Sequence, residues 1–158
     1  MLARLLDQLG YPADAAEIPE RIEKMSAYPG TTVLIAEDEN GEVVGMVTVH
    51  LFPSMHTSEP IAWLTALVVD EKVRGQGVGS MLVKQAEDWA IGRGALRISL
   101  TSALHREAAH EFYKAREYDH TGVRLTKLFV KRSGTAKRGG ARSPRKGAAK
   151  DTQNHRRS

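Results

Sequence analysis

The sequence predicts a mixed α/β domain in which helices cover both faces of a β-sheet. Three observations support this class. Two segments of helical periodicity come before the first β-rich runs, a long apolar run follows these, and helices and strands then alternate. The chain has 158 residues, 41% of them apolar, which suffices for one domain with its own core. It has no cysteine, so disulfides, thiolate metal sites and a cysteine nucleophile are excluded.

Two helices are predicted at the N-terminal end. The first follows from leucines at helical spacing, Leu2, Leu5, Leu6 and Leu9. Gly10 would end this helix, and a second helix extends to about residue 27. Two starts of the second helix remain open, because Asp14 with Glu17 resembles a capping box whereas Pro19 favours a first-turn position.

Three strands are predicted next. Residues 32 to 36 and 43 to 49 are β-rich runs on either side of the turn sequence Asp-Glu-Asn-Gly at 38 to 41, which indicates an antiparallel hairpin. A loop rich in Pro, Ser and His spans residues 52 to 60. Residues 61 to 69 are apolar on both faces, which is typical of a central strand.

The second half of the chain alternates between helix and strand. A helix from residue 78 to about 91 would end at Gly92 and Gly94. Its predicted buried face comprises Val78, Met81, Leu82, Ala86 and Trp89. A strand at 95 to 101, a helix from 105 to about 116, and extended runs at 118 to 121 and 124 to 130 complete the domain. Both tryptophans, Trp63 and Trp89, are expected in the core.

The most informative segment is a glycine-rich turn between the central strand and the following helix, Arg74-Gly75-Gln76-Gly77-Val78-Gly79-Ser80. Glycines let the backbone bend and approach a ligand, and the first amides of the helix remain free to donate to an anion such as phosphate. The spacing of a dinucleotide fingerprint and the Gly-Lys-Ser/Thr of a P-loop are both absent. A tight connection without any ligand would also explain the glycines.

This turn resembles the coenzyme motif of the GNAT superfamily of N-acetyltransferases, Arg/Gln-x-x-Gly-x-Gly/Ala. A second segment agrees, because Ala109-His110-Glu111-Phe112-Tyr113 is similar to the family's late helix, and the resemblance extends over residues 1 to 131. Within the superfamily the chain looks most like small-amine acetyltransferases of the aminoalkylphosphonate type. The resemblance implies a mixed, mostly antiparallel sheet of about six strands flanked by four helices.

The resemblance also implies acetyl-CoA as co-substrate and a set of site residues. The residues expected to bind the coenzyme are Leu67, Val68, Val69, Arg74, Gly75, Gln76, Gly77, Val78, Gly79, Ser80 and Arg106. The backbone of residues 67 to 69 would pair with the pantetheine arm, and the Leu67 amide would meet the thioester oxygen. Arg106 stands where many members have a coenzyme-contacting asparagine. Tyr113 falls on the tyrosine usually proposed as general acid.

Three departures from the family pattern stand out. The chain starts inside the first helix, so the family's first strand is absent, and a start farther upstream is left open. Glu117 replaces the usual glycine before Tyr118. The positions that often supply a carboxylate base are Trp63, Thr65, Ala66 and Thr101. As base, the sequence offers only water relayed through Thr65, or one of His50, His56 and Glu59.

The predicted function is acetyl transfer from acetyl-CoA to a primary amine of a small molecule, a peptide N-terminus or a lysine. Without cysteine, direct attack in a ternary complex is favoured over an acyl-enzyme. The alternative is an acetyl-CoA-binding sensor or interaction module without transferase activity, which the missing carboxylates favour. No metal is expected, because the six histidines show no ligand spacing. The acceptor is not identified, and a homodimer is left open.

The C-terminal residues 133 to 158 hold eight Lys and Arg but a single acid, Asp151. They have no large apolar side chain, so a disordered tail is expected, with the catalytic domain ending near residue 132. Nucleic-acid contact through this tail is the less favoured alternative to a solvated extension. Residues 1 to 132 hold 15 basic and 18 acidic residues. With neither a signal peptide nor a membrane span, a cytoplasmic protein is predicted.

Overall fold

The structure, a computed structural model, describes residues 1–129 of the chain. The chain divides into two units, Met1–Gly122 and Val123–Ser158, and the described part of the second, residues 123–129, contains no helix or strand. The helices of the first unit are α1 (Leu2–Leu9), α2 (Ile18–Ser26), α3 (Val78–Ile91) and α4 (Glu107–Lys114). Two 3-10 turns lie at Ala15–Glu17 and Glu71–Val73. No helix within residues 1–129 is long and apolar enough to cross a membrane.

The N-terminal helices lie where the sequence predicts them. Gly10 ends α1 in the left-handed conformation, with φ of 95°, as expected of a glycine after a leucine stripe. Both start signals of the second helix are used in succession. Asp14 accepts a hydrogen bond from the Ala16 amide and begins the 3-10 turn, and Pro19 then occupies the first turn of α2.

The sheet has the strand order β1-β2-β3-β4, with β1 at Thr31–Glu37, β2 at Val43–Phe52, β3 at Ile61–Val69 and β4 at Ile98–Leu100. The first two pairs are antiparallel, which confirms the predicted hairpin, and β4 pairs with β3 in parallel. Strand β3 is therefore central, as predicted.

The described sheet has four strands, whereas about six were predicted. No strand forms at residues 118 to 121 or 124 to 129; residue 130, the end of the second predicted run, lies outside the described residues. The Tyr118 hydroxyl donates to Glu87 Oε1 on α3 at 2.9 Å, which holds Tyr118 against this helix. The predicted strand at 95 to 101 is also shorter, because β4 pairs with β3 only from Ile98 to Leu100.

Strand β3 has a β-bulge at Thr65, directly after the last residue that pairs with β4. The bulge reverses which residues of β3 point to each face of the sheet. Thr48 of β2 pairs with Ala66 and the next residue, Val49, pairs with Leu64, so Thr65 is the additional residue. Before the bulge, Ala62 and Leu64 lie in the core on the α3 side of the sheet. After the bulge, the even-numbered Ala66 and Val68 pack in the cluster with Leu5 of α1 on the other side. Successive side chains of a strand point to opposite faces of the sheet, so one extra residue moves every later side chain to the other face.

The main core lies between the sheet and α3. Its helical contribution is the stripe Leu82, Val83, Ala86 and Ala90. The predicted face was wrong at Met81, which is 51% exposed, because the buried stripe follows the four-residue steps from Leu82. Trp89 packs at the margin of this core and Trp63 is half-buried. The helix lies close to β2 at Gly45, where a Cβ would lie 2.9 Å from a Leu82 methyl carbon.

A buried carboxylate connects α1 to the end of β3. Asp70 directly follows β3, is 2% exposed, and forms an ion pair with Arg4 of α1. The hydrogen bond from the Lys72 amide lowers the pKa of Asp70 below its usual value, and the Arg4 guanidinium acts in the same direction. Gln8, one turn after Arg4, accepts a hydrogen bond from the Glu71 amide at 3.0 Å. Helix α1 is thereby attached beside the glycine-rich turn.

Candidate functional site

Strand β3 has an open edge next to the glycine-rich turn. On its β4 side, pairing covers only Ala62 to Leu64, whereas on its β2 side it continues to Val69. Beyond the bulge, β3 and β4 therefore separate. The opening contains the main chain of residues 65 to 69, an unpaired strand edge within the described part of the chain, and such an edge can accept another extended chain.

The direction of the backbone groups along this edge follows from one hydrogen bond. The Asp70 amide donates to the Val44 oxygen of β2 at 2.8 Å. Since backbone groups of alternate residues point to opposite sides of a strand, Val68 also faces β2, and Leu67 and Val69 face the opening. Consistently, the Val69 oxygen accepts from Arg74 Nε at 3.0 Å rather than from β2. The Leu67 amide thus points into the space between β3 and β4.

The turn after β3 forms a cradle of main-chain amides. Gly75 and Gly77 have φ of 80° and 87°, which L-residues rarely adopt, and a Cβ on either would meet nothing within 4 Å. Gly77 caps α3 without a side-chain acceptor. The first helical hydrogen bond is donated by the Met81 amide to the Gly77 oxygen, at 3.0 Å. The amides of residues 78 to 80 thus precede the helical bonding pattern, at the positive end of the α3 dipole.

The structure places Arg74 and Gln76 at the outer side of this cradle. Arg74 is exposed, and besides the Val69 oxygen its guanidinium approaches Gln8 Oε1 at 3.4 Å. Gln76 borders a shallow groove together with Val78 and three carboxylates at the end of β1 and in the β1–β2 connection, Glu37, Asp38 and Glu39. The hairpin side of the turn is therefore acidic.

Tyr113 on α4 lies on the same side of the sheet as the cradle. The neighbouring Phe112 ring would be 3.5 Å from a Cβ on Gly79, so α4 packs directly on the first turn of α3. Tyr113 contacts the rings of Phe112 and Tyr118 edge to face, at centroid distances of 5.1 and 5.5 Å. Burial raises the pKa of Tyr113 to about 12, although Arg106 and Arg116 act to lower it. Its hydroxyl therefore remains protonated near neutral pH.

Arg106 and Glu117 lie at the two ends of α4. Arg106 is the N-cap residue, and its guanidinium donates to the Leu9 oxygen at 2.6 Å, so it contacts the end of α1. Glu117 has φ of 62°. A glutamate in the left-handed conformation thus occupies the position where the family resemblance expects a glycine.

The side chains considered as a base are dispersed. His50 Nδ1 lies 3.0 Å from Thr31 Oγ1, and His50 pairs with Trp63 across the sheet. Val47 of β2 pairs with Leu67, and His50 lies three residues farther along β2, roughly 10 Å from Val47. His56 and Glu59 are exposed in the loop between β2 and β3. The exposed Thr65, at the bulge, is two residues from Leu67.

One residue at this site was not singled out from the sequence. Arg116, which follows α4, donates one hydrogen bond to the Phe112 oxygen at 2.6 Å and another to the Ser80 hydroxyl in the first turn of α3. Its only sequence signal is an arginine four residues after an aromatic residue. The same spacing occurs at Trp89 and Arg93, so the signal does not identify a site.

Comparison with known proteins agrees with this geometry. The sequence profile of the Acetyltransferase (GNAT) family matches residues 3–118. An aminoalkylphosphonate N-acetyltransferase of Salmonella typhimurium is 39% identical over 88 residues, which cover 56% of this chain and 57% of that protein. An aminoglycoside N(6')-acetyltransferase of Klebsiella aerogenes is 35% identical over 96 residues, 60% of this chain and 62% of that protein. The chain thus matches about three fifths of the length of these curated relatives.

Solved structures support the fold. A GNAT family acetyltransferase of Staphylococcus aureus superposes with a TM-score of 0.71 at 20% identity, over 81% of this chain and 87% of that one. Glucosamine-6-phosphate N-acetyltransferase of Arabidopsis thaliana superposes with a TM-score of 0.70 at 19% identity, over 81% and 88%. At these identities the similarity concerns the fold alone.

Proposed function

Because the chain belongs to the GNAT family of acetyltransferases, we propose that it transfers the acetyl group of acetyl-CoA to a primary amine of a small polar molecule. The two curated relatives described above are named for acceptors of this kind, an aminoalkylphosphonate and an aminoglycoside. The excess of acidic residues within residues 1 to 132 suits a cationic amine through long-range attraction.

The observation that supports this proposal best is the continuity between the open edge of β3 and the amide cradle. An extended pantetheine arm would pair with the Leu67 and Val69 backbone, and the pyrophosphate would lie on the amides of residues 78 to 80. The cradle fits such an anion, because its amides have no side-chain cap among the described residues and the space beside Gly75 and Gly77 is open. Val69 and Gly79 are neighbours, which makes the two parts one site.

The residues of the site divide the chemistry among them. The acceptor nitrogen forms a bond to the acetyl carbonyl carbon, and the bond from that carbon to sulfur breaks. The Leu67 amide is directed toward the opening and would stabilise the negative charge that develops on the carbonyl oxygen. Tyr113 would donate its proton to the departing sulfur and recover it from water. The chain has no cysteine, so no thiol can form an acyl-enzyme, and we propose that the acetyl group passes directly to the amine.

The nitrogen must also lose a proton. We propose that water beside Thr65 accepts it, because Thr65 is exposed at the bulge, two residues from Leu67. The Thr65 hydroxyl already donates to the Thr48 oxygen, at 3.4 Å, which leaves its oxygen able to accept from such a water. An amine with a low pKa would need no protein base at all.

A second candidate is an acetyl-CoA-binding module without transfer. It is favoured by one observation, the presence of Trp63, Thr65 and Ala66 on β3 where many family members have a carboxylate. Such a module would bind the coenzyme through the same cradle, and it would leave every amine unmodified.

Two measurements test the proposal. Calorimetric titration gives the affinity for acetyl-CoA, and a mass-spectrometric screen detects a 42 Da gain, the mass of an acetyl group replacing hydrogen, on aminoalkylphosphonates, aminoglycosides, amino sugars and peptide N-termini. We expect micromolar binding, in the range typical of enzyme substrates, and acetylation of small amines. Binding without acetylation of any amine would favour the second candidate. Absence of binding at millimolar acetyl-CoA would refute both.

A further inference from the structure

Arg116 and Phe112 connect α4 to the first turn of α3. The Arg116 guanidinium carbon lies 3.7 Å from the centre of the Phe112 ring, and the same ring would lie 3.5 Å from a Cβ on Gly79. One guanidinium nitrogen donates to the Phe112 oxygen, and another donates to the Ser80 hydroxyl. The guanidinium is thus held in one place by a ring, a carbonyl and a hydroxyl.

The charge of Arg116 has no counterion in the described structure. Within the described residues 1–129, Arg116 forms no ion pair with a carboxylate. Arg116 is only half exposed, and its two hydrogen-bond acceptors are neutral. A half-buried guanidinium with neutral partners retains the capacity to attract an anion, and it has further N–H donors.

The Ser80 hydroxyl gives this charge a route to the cradle. Because its oxygen accepts from Arg116, its own hydrogen is left to donate elsewhere, and the guanidinium polarises the hydroxyl so that it donates more strongly. Ser80 is the third residue of α3, and its amide is one of those that precede the helical hydrogen bonds. Amide and hydroxyl of the same residue can therefore donate to one anion.

We propose that Arg116 is a positioning residue of the coenzyme site, which orients the Ser80 hydroxyl toward the phosphates of acetyl-CoA and adds a full positive charge to the cradle. This inference rests on the proposed function. It assigns the charge at the cradle to Arg116 rather than to Arg74, because Arg74 is bonded to the end of β3 and the hairpin side of the turn is lined by carboxylates. The ligand chemistry is a phosphorylated thioester, and Arg116 acts on the phosphates alone.

The chain contains a matched control for the structural part of these contacts. Arg93 follows Trp89 by four residues at the end of α3, its guanidinium carbon lies 4.3 Å from the Trp89 ring centre, and it donates to the Trp89 oxygen at 3.4 Å. Arg93→Ala therefore removes the same ring contact and helix-end hydrogen bond as Arg116→Ala, without a contact to Ser80.

The experiment compares acetyl-CoA with S-acetylpantetheine, which lacks every phosphate. Affinity for acetyl-CoA is measured by calorimetry, and affinity for S-acetylpantetheine by competition. We expect Arg116→Ala to weaken acetyl-CoA roughly tenfold to hundredfold, as for loss of a charged hydrogen-bonding group, and to leave S-acetylpantetheine within twofold. Arg93→Ala should change neither affinity. Ser80→Ala should weaken acetyl-CoA in the same direction by a smaller factor.

Two results would overturn the inference: an unchanged acetyl-CoA affinity in Arg116→Ala, or an equal loss for both ligands, which would mean a purely structural role. Should Arg116→Ala fail to fold, Arg116→Lys decides instead, because it keeps a positive charge but loses the planar fork; we then expect an intermediate loss for acetyl-CoA alone. Binding of acetyl-CoA by a wild type that acetylates nothing would refute the proposed transfer and leave this inference standing. A wild type that does not bind acetyl-CoA would refute both.

Discussion

The Arg106 guanidinium donates a 2.6 Å hydrogen bond to the main-chain oxygen of Leu9 and so joins the start of α4 to the end of α1. The two helices pack in different clusters, on opposite faces of the sheet. The last carbonyls of a helix have no intrahelical donor, and a cation there also suits the helix dipole. The family resemblance assigns Arg106 to coenzyme binding, and the structure adds this second, structural contact.

We expect Arg106→Ala to lower the free energy of unfolding by about 1–2 kcal/mol, because it removes a charged hydrogen bond at a helix end. Urea denaturation measures this loss. Arg21→Ala is the control, since Arg21 forms only an exposed pair with Glu17 and should cost less than about 0.5 kcal/mol. Weaker acetyl-CoA binding with unchanged stability would show that the coenzyme contact, and not the Leu9 contact, is the main role of Arg106.

Tyr113→Phe should reduce kcat by about 10²- to 10⁴-fold while acetyl-CoA affinity stays within threefold, because the ring remains and only the proton donor is lost. Steady-state kinetics and calorimetry on the same preparation measure the two quantities. Tyr118→Phe is the matched control: its hydroxyl bonds Glu87, so the variant should lose stability and keep kcat. Normal turnover of Tyr113→Phe would exclude this hydroxyl as the acid.

The raised pKa of Tyr113 has consequences at high pH. Burial raises the pKa to about 12, above the usual value of about 10 in an unfolded chain. Its contribution to stability is therefore complete below pH 10 and is lost as the pH rises from 10 to 12. Burial also raises the pKa of Tyr118, so in urea denaturation Tyr113→Phe should lose less stability over this range than the wild type, and the remaining loss comes from Tyr118. The rate should climb with pH toward the pKa of the acceptor amine. A strongly reduced kcat in His50→Gln or His56→Gln, with acetyl-CoA affinity unchanged, would instead reveal a protein base.

Gly77→Ala tests whether the turn binds the coenzyme. A Cβ at Gly77 meets no protein atom within 4 Å, so the fold should lose only the cost of the left-handed backbone, about 1–2 kcal/mol, whereas a methyl group would obstruct the phosphates. We expect acetyl-CoA affinity, measured by calorimetry, to fall at least tenfold. Gly41→Ala is the matched control, with φ of 76° and equally open space in the hairpin turn. If Gly77→Ala and Gly41→Ala bound acetyl-CoA with equal affinity, the glycine-rich turn would only connect β3 to α3 and would not bind the coenzyme.

Glu117→Gly should stabilise the protein by about 0.5–1 kcal/mol, because Glu117 has φ of 62° and glycine adopts this conformation without steric cost. Thermal and urea denaturation measure the gain. Glu111→Gly, in the interior of α4, provides the opposite control and should destabilise by about 1 kcal/mol. A loss of stability in Glu117→Gly would mean that the glutamate side chain contributes more than the strained backbone costs.

Local chemistry let the sequence predict most elements. The leucine stripe before Gly10 determines α1, and the bounds of α3 follow from glycines at both ends of an amphipathic segment. The turn residues 38 to 41 between two β-rich runs determine the hairpin. The family motifs likewise lie within short segments, and their predicted positions at the end of β3 and on α4 agree with the structure. The residues that form each of these signals lie within a few positions of one another, so the sequence alone predicts them.

Only the tertiary structure decided the bulge at Thr65 and the contacts across the chain. Strand β3 is apolar on both faces, so a shift of one residue leaves its pattern unchanged and no alternation in the sequence marks the bulge. The contacts of Arg106 with Leu9 and of Arg116 with Ser80 join residues 97 and 36 positions apart. An arginine side chain is long enough to reach several possible partners. Which partner it bonds depends on how α4 packs against its neighbours, and this packing is determined by the assembled core and not by any single segment.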